Sequence, residues 1–308
     1  MIVIVGSTNT DMVVKSPRIP AAGETILGGR FLMNPGGKGA NQAVAAARLG
    51  GEVAFVAKVG DDLFGREATG LFKREGIRTE GVTVDKTEAS GVALIMVDKK
   101  GENCISVASG ANMKLSAKDF AAALKKVGKP TLLLAQLETP ITTIAAVAEY
   151  AAKNGVPFIL NPAPAAKLPS KVFKGISIIT PNETETELLT GIKVVDLESA
   201  ATAAAAFVKK GVKRVVITLG SKGSYVWENG SGQLVKAKKV KAVDTTAAGD
   251  VYNGALAVAL DEGKSLVEAV TFATAAAAIS VTRMGAQASA PYRKEISAKR
   301  CASRRKTK

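Results

Sequence analysis

Short apolar runs rich in β-branched residues alternate along the chain with longer alanine-rich segments. The apolar runs have the length of buried strands, and we predict strands at residues 2–5, 53–58, 132–135, 157–160, 176–180 and 214–219. Helices are predicted between and after them, at residues 39–49, 63–75, 117–126, 141–153, 183–189, 198–209, 249–260 and 265–281. This alternation is typical of an α/β fold in which helices cover both faces of a mainly parallel sheet.

Residues 13–31 and 91–106 break the alternation. Both stretches have strand-like composition and turn residues such as Lys99, Lys100 and Gly101, but neither has a helix between its strands. We therefore predict a small antiparallel sheet outside the main layer. An irregular hairpin at the sheet edge is the alternative.

Composition narrows the class of protein. The 308 residues are 47% hydrophobic, which is enough for a large core, and Cys104 and Cys301 form neither a disulfide framework nor a metal-binding spacing. The first residues lack the basic flank and the cleavage site of a secretory signal, and no apolar run is long enough to span a bilayer. We expect a soluble, cytoplasmic protein with no membrane partner.

The net charge of +15 raises nucleic acid as a partner, but six of the positive charges lie within the last ten residues. Aromatic residues make up only 5% of the chain, too few for base stacking between the basic clusters. We expect no nucleic-acid partner and predict a basic, disordered tail at residues 298–308. The chain has no histidine, so its carboxylates must carry acid–base chemistry.

The most informative segment spans residues 244–254. Its small residues Ala247, Ala248 and Gly249 predict a tight turn that opens a helix, where free backbone N–H groups can hold a phosphate. Asp250 follows directly, and a carboxylate at this place is suited to taking a proton from an attacking hydroxyl. An ordinary helix cap is the alternative interpretation of Asp250.

A glycine-rich loop, residues 34–43, runs into the first long predicted helix. It is not a P-loop, because Gly39 follows Lys38 where that motif needs serine or threonine. The backbone N–H groups, the Lys38 ammonium and the Asn41 amide can instead bind several hydroxyls. The loop therefore predicts a site for a sugar-like ligand.

These two segments, with residues 6–11 after the first strand, resemble the signature regions of the ribokinase family of carbohydrate kinases. The resemblance extends from Ile2 to about Pro291 and includes residues 136–140, 161–164, 180–187, 218–223 and 281–287. It implies a Rossmann-like three-layer fold in one kinase domain, residues 1–297. Residues 13–31 and 91–106 would then form a β-sheet lid over the sugar and the contact of a homodimer.

The reaction that the resemblance implies is ATP-dependent phosphorylation of the 5-hydroxyl of D-ribose. Related kinases for deoxyribose, a ketohexose or a nucleoside are the first alternative. A sugar- or nucleotide-binding protein without catalysis is the second.

The resemblance also assigns residues to the reaction. It implies that Asp250 is the catalytic base and that the N–H groups of Ala247, Ala248 and Gly249 stabilise the transferring phosphoryl group. The implied sugar-binding residues, besides Asp250, are Asn9, Asp11, Gly37, Lys38, Asn41 and Glu138. For Asp11, the sequence alone leaves a turn-capping role equally open.

Nucleotide and metal positions follow from the same resemblance. The implied ATP-binding residues are Asn182, Thr218, Gly220, Ser221, Lys222, Gly223, Gly249 and Thr274. Thr274 stands where ribokinases can carry a histidine beside the adenine. Glu185 is implied to handle Mg²⁺ through water, although Asn182 and Glu185 also have the spacing of a helix cap. The implied K⁺ site comprises Asp244, Thr246, Ser280, Arg283, Gly285 and Ser289.

Overall fold

The computed structural model describes residues 1–296, so the predicted tail at 298–308 lies outside the described residues. The strands are β1 (Ile2–Val5), β2 (Asn9–Lys15), β3 (Arg30–Gly36), β4 (Val53–Gly60), β5 (Arg78–Asp85), β6 (Gly91–Val97), β7 (Asn103–Ala108), β8 (Leu132–Ala135), β9 (Phe158–Leu160), β10 (Ile178–Ile179), β11 (Arg214–Thr218), β12 (Gly223–Glu228) and β13 (Ser231–Lys236). The α-helices are α1 (Lys38–Arg48), α2 (Leu63–Arg74), α3 (Ala117–Val127), α4 (Ile141–Asn154), α5 (Ser170–Phe173), α6 (Glu183–Thr190), α7 (Leu197–Lys210), α8 (Ala248–Asp261) and α9 (Leu266–Ser280).

A nine-stranded sheet forms the centre of the fold, in the order β13-β12-β11-β10-β9-β8-β1-β4-β5. The strands from β11 to β5 are parallel, whereas β12 and β13 pair antiparallel at one edge. The chain order reverses at β1, which has β8 on one side and β4 on the other. Open α/β sheets bind ligands beside such a reversal, at the carboxyl ends of the strands.

Helices cover both faces of this sheet, and β1 shows how the sequence divides the core. Ile2 and Ile4 pack in one cluster with α1, α8 and α9, whereas Val3 and Val5 pack in the other with α3, α4 and α7. All four side chains are fully buried. The predicted three-layer α/β fold is thereby confirmed.

The helices α1 and α8 pack unusually closely at Gly254. A Cβ added there would lie 2.7 Å from the Gln42 carbonyl oxygen and 2.9 Å from Ala45 Cβ. Both distances are well inside van der Waals contact, so the approach depends on glycine. This close packing brings together the two signature segments, residues 34–43 and 244–254, because α1 and α8 begin within them.

A second sheet has the order β3-β2-β6-β7. The predicted second small sheet is thereby confirmed. Its pairs β2–β3 and β6–β7 are antiparallel as predicted, but β2 and β6 pair in parallel, so the prediction of an antiparallel sheet was wrong for that pair. Residues 16–29, within the predicted 13–31 segment, form no strand. Pro17 and Pro20 lie there, and proline cannot donate to a strand ladder.

None of the helices within residues 1–296 combines the length and the apolar character that crossing a bilayer requires.

Candidate active site

Polar side chains follow neighbouring strands of the main sheet at their carboxyl ends. Ser7, Glu138 and Asn161 come shortly after β1, β8 and β9. The turn that opens α1 lies directly against the segment that follows β1, since a Cβ added to Gly37 would lie 2.7 Å from the Asn9 backbone nitrogen. Gly37 also has a φ of 86°, a conformation that favours glycine. The glycine-rich loop and the sheet edge therefore form one structural unit.

Glu138 joins that edge to α1. Its Oε2 accepts hydrogen bonds from the Lys38 backbone N–H at 2.9 Å and from the Ser7 hydroxyl. Within residues 1–296 no protein donor reaches Oε1 of Glu138. One carboxylate oxygen is thus fixed by the protein and the other is open to a ligand hydroxyl.

Asn9 and Asp11 extend the site along β2. Asn9 Oδ1 accepts a hydrogen bond from Asn112 Nδ2 at 2.8 Å, and Asn112 also bonds the Thr8 N–H at 2.9 Å and the Thr8 carbonyl at 3.0 Å. The Asp11 carboxylate lies over Gly36, where an added Cβ would be 2.3 Å from Oδ2. Asp11 lies within a strand, so its position does not favour the turn-capping alternative.

Three carboxylates share this space. Burial, followed by the negative charges of Glu138 and Asp250, raises the pKa of Asp11 from 3.8 to about 6. Ionised carboxylates are acceptors only, so a ligand that brings several hydroxyl donors matches the group. The arrangement favours a polyol over an anionic ligand.

Asp250 lies in the first turn of α8, and only 6% of its surface is exposed. Its Oδ2 accepts a hydrogen bond from Asn41 Nδ2 at 2.9 Å, and its Oδ1 accepts one from Gln42 Nε2 at 3.0 Å. Both donors belong to α1, and the N-cap residue before α8, Ala247, makes no side-chain capping hydrogen bond. These contacts favour the catalytic interpretation of Asp250 over a helix cap.

Burial raises the pKa of Asp250, while the Lys38 ammonium and then the Asn41 and Gln42 amides act to lower it. A carboxylate with a raised pKa binds a proton more strongly than an exposed one does. The three donors oppose full neutralisation. The environment therefore suits a general base.

The turn before α8 has the backbone of an anion site. Ala247 adopts a left-handed conformation, with a φ of 57° and a ψ of 13°, which is rare for a residue with a Cβ. The Ala248 N–H donates to the Thr245 carbonyl at 3.2 Å, whereas within residues 1–296 the N–H groups of Ala247 and Gly249 make no backbone hydrogen bond. Two of the three predicted donors are therefore free for a phosphoryl group.

Asn182 and Glu185 form a reciprocal cap at the start of α6. The Glu185 carboxylate accepts hydrogen bonds from the Asn182 N–H at 2.9 Å and from Asn182 Nδ2 at 3.0 Å, and the Glu185 N–H donates to Asn182 Oδ1 at 2.8 Å. The capping alternative is confirmed. Burial raises the pKa of Glu185, the Asn182 N–H and then the Lys38 ammonium oppose the rise, and Asp250 adds to it, so this cap lies close to the Asp250 carboxylate.

The predicted nucleotide residues continue along the sheet edge. An isolated β-bridge joins Thr218 to Asn182, and a single 3₁₀ turn, Gly220–Lys222, which includes Ser221, leads into β12 at Gly223. On α9, the Thr274 hydroxyl is buried without a hydrogen-bond partner within residues 1–296. The Tyr252 hydroxyl lies close to Thr274 and to Ser224, so Thr274 is near the start of β12.

Asp244 connects the two segments implied to hold potassium. Its Oδ1 accepts a hydrogen bond from the Thr246 N–H at 2.9 Å, and its Oδ2 accepts one from the Gly285 N–H at 2.8 Å. Burial raises the pKa of Asp244, but the hydrogen bonds from Thr246 and Gly285 outweigh it and lower the pKa overall. Of the other implied ligands, the Ser280 carbonyl accepts the Arg283 N–H at 2.9 Å, and Ser289 is fully buried.

Three residues of the site were not predicted from the sequence: Ser7, Gln42 and Asn112. Gln42 follows Asn41 directly in the glycine-rich motif, so its place was a usable signal. Asn112 lies 104 residues from the backbone that it holds, and its local sequence carries no sign of that contact.

Comparison with known proteins shows similarity to carbohydrate kinases. The chain matches the pfkB family of carbohydrate kinases over residues 1–293. It is 47% identical over 292 residues to the ribokinase of Haemophilus influenzae, with 95% of each chain covered. It is 36% identical over 291 residues to the deoxyribokinase of Salmonella typhi, with 94% of this chain and 95% of that relative covered.

Solved structures show the same similarity. Arabidopsis thaliana ribokinase complexed with ribose and ATP superposes with a TM-score of 0.90 at 36% identity, covering 96% of this chain and 97% of that one. Ribokinase from Thermotoga maritima gives a TM-score of 0.88 at 40% identity, covering 96% and 98%.

Proposed function

The chain belongs to the pfkB family of carbohydrate kinases, and from this premise we propose that it phosphorylates the 5-hydroxyl of D-ribose with ATP, giving D-ribose 5-phosphate and ADP. The observation that carries the proposal is the buried Asp250 carboxylate, held by Asn41 and Gln42 directly after a turn with free N–H groups. A base and an anion site thus meet at one helix start.

In the proposed reaction, Asp250 takes the proton of the sugar hydroxyl as its oxygen attacks the γ-phosphorus of ATP. The new bond joins that oxygen to phosphorus, and the bond from the γ-phosphorus to the bridging oxygen breaks, so ADP leaves with the electron pair. The N–H groups of Ala247 and Gly249 stabilise the charge on the transferring group. The ammonium of Lys38, which faces Asp250, offsets negative charge in the pocket.

The sugar would lie among Asn9, Asp11, Gly37, Asn41 and Glu138. Glu138 Oε1 and Asn41 Oδ1 both lack a protein partner within residues 1–296, and both can accept hydroxyl protons. Two open acceptors beside the ionisable Asp11 support a ligand with several hydroxyl groups. This is support from chemistry, and the identity of the sugar comes from the relatives.

The donor groups also fit the two cations that the family resemblance implies. Mg²⁺ keeps most of its waters and needs few protein ligands, so Glu185 acting through water suits it. Asp244 joins the two segments by accepting hydrogen bonds from the Thr246 and Gly285 N–H groups. Its carboxylate and the backbone carbonyls of these segments would offer oxygen ligands only, which would suit K⁺. When bound, the cations would neutralise phosphate charge and order the turn before α8.

The four-stranded sheet supports a homodimer. Residues alternate between its faces, which places Asn9 and Asp11 on one face with the sugar site. The other face carries apolar side chains that are 37% to 59% exposed: Val14, Phe31, Met33, Leu94 and Met96. An apolar patch of this kind favours a protein partner, and we propose a second copy of the chain. A cytoplasmic location stays a prediction from the sequence.

The proposed substrate is tested by a panel of acceptors. Initial rates with D-ribose, 2-deoxy-D-ribose, D-fructose and adenosine are measured by coupled ADP release, with phosphorus NMR to locate the new ester. We expect the highest kcat/KM for D-ribose, because an absent hydroxyl leaves buried acceptors unpaired. A higher kcat/KM for deoxyribose, the substrate in the name of one relative, would replace the proposed substrate, and no turnover with any acceptor would refute the kinase.

A further inference from the structure

A buried chain of side-chain amides ends at Asp250. Gln136 Nε2 donates to Gln42 Oε1 at 2.6 Å, and Gln42 Nε2 donates to Asp250 Oδ1 and to Asn161 Oδ1, both at 3.0 Å. The Gln42 side chain is fully buried. Its two amide hydrogens and its oxygen are all used inside the protein, so Gln42 offers no group to a ligand.

Asn41 and Gln42 hold the same carboxylate but differ in what else they do. Asn41 binds Asp250 Oδ2 through its Nδ2 and keeps a buried Oδ1 without a partner within residues 1–296, which is available to the sugar. Gln42 binds the other oxygen of Asp250 and contacts only protein. The division separates a residue that meets the substrate from one that acts through Asp250.

The orientation of the Gln42 amide is set by its neighbours. Asp250 Oδ1 and Asn161 Oδ1 both accept, so the Nε2 group faces them, and Gln136 donates to the Oε1 on the other side. A packing role would need only the shape of the side chain and would leave the amide free to turn over. With a donor on each oxygen, the Asp250 carboxylate cannot rotate about its Cβ–Cγ bond without losing both hydrogen bonds.

We propose that Gln42 is the positioning residue of the catalytic base: it fixes the plane of the Asp250 carboxylate toward the attacking hydroxyl and keeps that carboxylate ionised. The inference rests on the proposed kinase function. Gln42 is not a catalytic residue, since its amide groups are all bonded to protein and none is left for the substrate. Its effect on the reaction passes entirely through Asp250.

The test replaces Gln42 by Met, which keeps the length of the side chain and removes its hydrogen bonds. A hydrogen bond to a charged group stabilises it by roughly 1.5–3 kcal/mol, which corresponds to a pKa shift of about one to two units. In Gln42→Met we therefore expect the acid limb of the single-turnover rate to move up by about one to two pH units. Above the moved limb the rate should still fall by about 10- to 100-fold, because the carboxylate is no longer held toward the hydroxyl, with KM for ribose and ATP within about threefold.

Gln136→Met is the control, because it removes one hydrogen bond of the same buried chain without touching Asp250. It should lower the melting temperature, though by less than Gln42→Met, which removes three hydrogen bonds, and it should leave the acid limb in place. Gln42→Glu is the second variant, since it keeps volume and the bond from Gln136 but sets a carboxylate against Asp250. Gln42→Glu should move the acid limb of the rate further than Gln42→Met does. It provides the test of the proposal if Gln42→Met does not fold.

A direct titration makes the result independent of turnover. Carboxyl-carbon NMR, with the Asp250 signal assigned by its loss in Asp250→Asn, gives the pKa of Asp250 in each folded variant. An unmoved pKa and a normal rate in a folded Gln42 variant would overturn the proposal, as would equal shifts in the Gln136 control. A wild-type chain that phosphorylates no acceptor would refute the kinase function, while the titration would still decide whether Gln42 controls Asp250.

Discussion

Replacing Asp250 by Asn tests the catalytic assignment most directly. A positioned general base contributes about 10² to 10⁴ in rate, which is about 3 to 5 kcal/mol of barrier. The chain has no histidine that could replace it. We therefore expect the single-turnover rate of Asp250→Asn with saturating ribose and ATP to fall by roughly 10² to 10⁴.

The structure shows that this substitution also changes hydrogen bonds. Asn41 and Gln42 both donate to Asp250, and an amide has only one acceptor oxygen, so its NH₂ group must face one of the two donors. Asn41 can turn its amide over, because its Oδ1 is buried without a partner within residues 1–296. Turning the Gln42 amide would also break its hydrogen bond to Asn161 Oδ1. We therefore expect ribose affinity to fall a few-fold, since Asn41 Oδ1 turns away from the sugar.

The thermal stability of Asp250→Asn and its affinity for ATP should change little or increase. Burial disfavours the charged form of Asp250, so removing the charge offsets the disturbed hydrogen bond. ATP affinity should persist or rise, because a negative charge beside the phosphates is removed. Calorimetric titration measures both affinities, and Asp261→Asn, at the other end of α8, is the matched control. Near-normal turnover by Asp250→Asn with ribose and ATP bound would refute Asp250 as the base.

Three further predictions concern charge, packing and cations. The folded pKa of Asp11 is raised from 3.8 to about 6, so stability falls as pH rises through that window and the penalty is complete above it. In scanning calorimetry Asp11→Asn should therefore raise the melting temperature by about 2–5 °C at pH 7.5 and by less at pH 4.5. The same substitution should weaken ribose binding. Equal gains in melting temperature at both pH values would contradict this reasoning. Gly254→Ala should destabilise the fold by about 1–3 kcal/mol in urea through overpacking of α1 against α8. Gly70→Ala on α2, where an added Cβ meets only the flexible end of Arg74 at 3.4 Å, should be neutral or stabilising, and equal effects would dismiss the packing account. Turnover should be higher in K⁺ than in Na⁺ at equal ionic strength, and indifference to the cation would remove the proposed K⁺ site.

The strands and helices at the centre of the fold were predicted to within a few residues because their signal is local. A strand buried on both faces, such as Ile2–Val5, is a continuous apolar run. Strand β5 at one edge of the main sheet and the pair β12–β13 at the other were missed. In β13 only Leu234 and Val235 are large and apolar, and its place is set by pairing with β12 rather than by its own composition.

The residues of the candidate site also differ in how far their places could be predicted from local sequence. Asn9, Asp11, Glu138 and Asp250 were predicted from motifs, and the structure brings Asp11, Glu138 and Asp250 close enough for their charges to interact. The contacts of Asn112 depend on chain segments far apart in sequence, and no local pattern encodes them. The internal bond of the Ala248 N–H depends on the course of one turn, which small residues permit but do not determine.

Sequence also could not separate aspartates that shape the backbone from those that meet a ligand. Hydrogen bonds from the Thr87 N–H, the Thr87 hydroxyl and the Glu88 N–H lower the pKa of the partly exposed Asp85 to about 2, as expected of a turn. Burial raises the pKa of Asp250 despite two amide donors. The pKa of an aspartate can therefore shift in either direction. The balance between its burial, which raises the pKa, and its hydrogen-bond donors, which lower it, sets the direction. Glu185 caps α6 and yet has a raised pKa, because its burial outweighs the hydrogen bond from Asn182, so a capping role does not by itself keep the pKa of a carboxylate low.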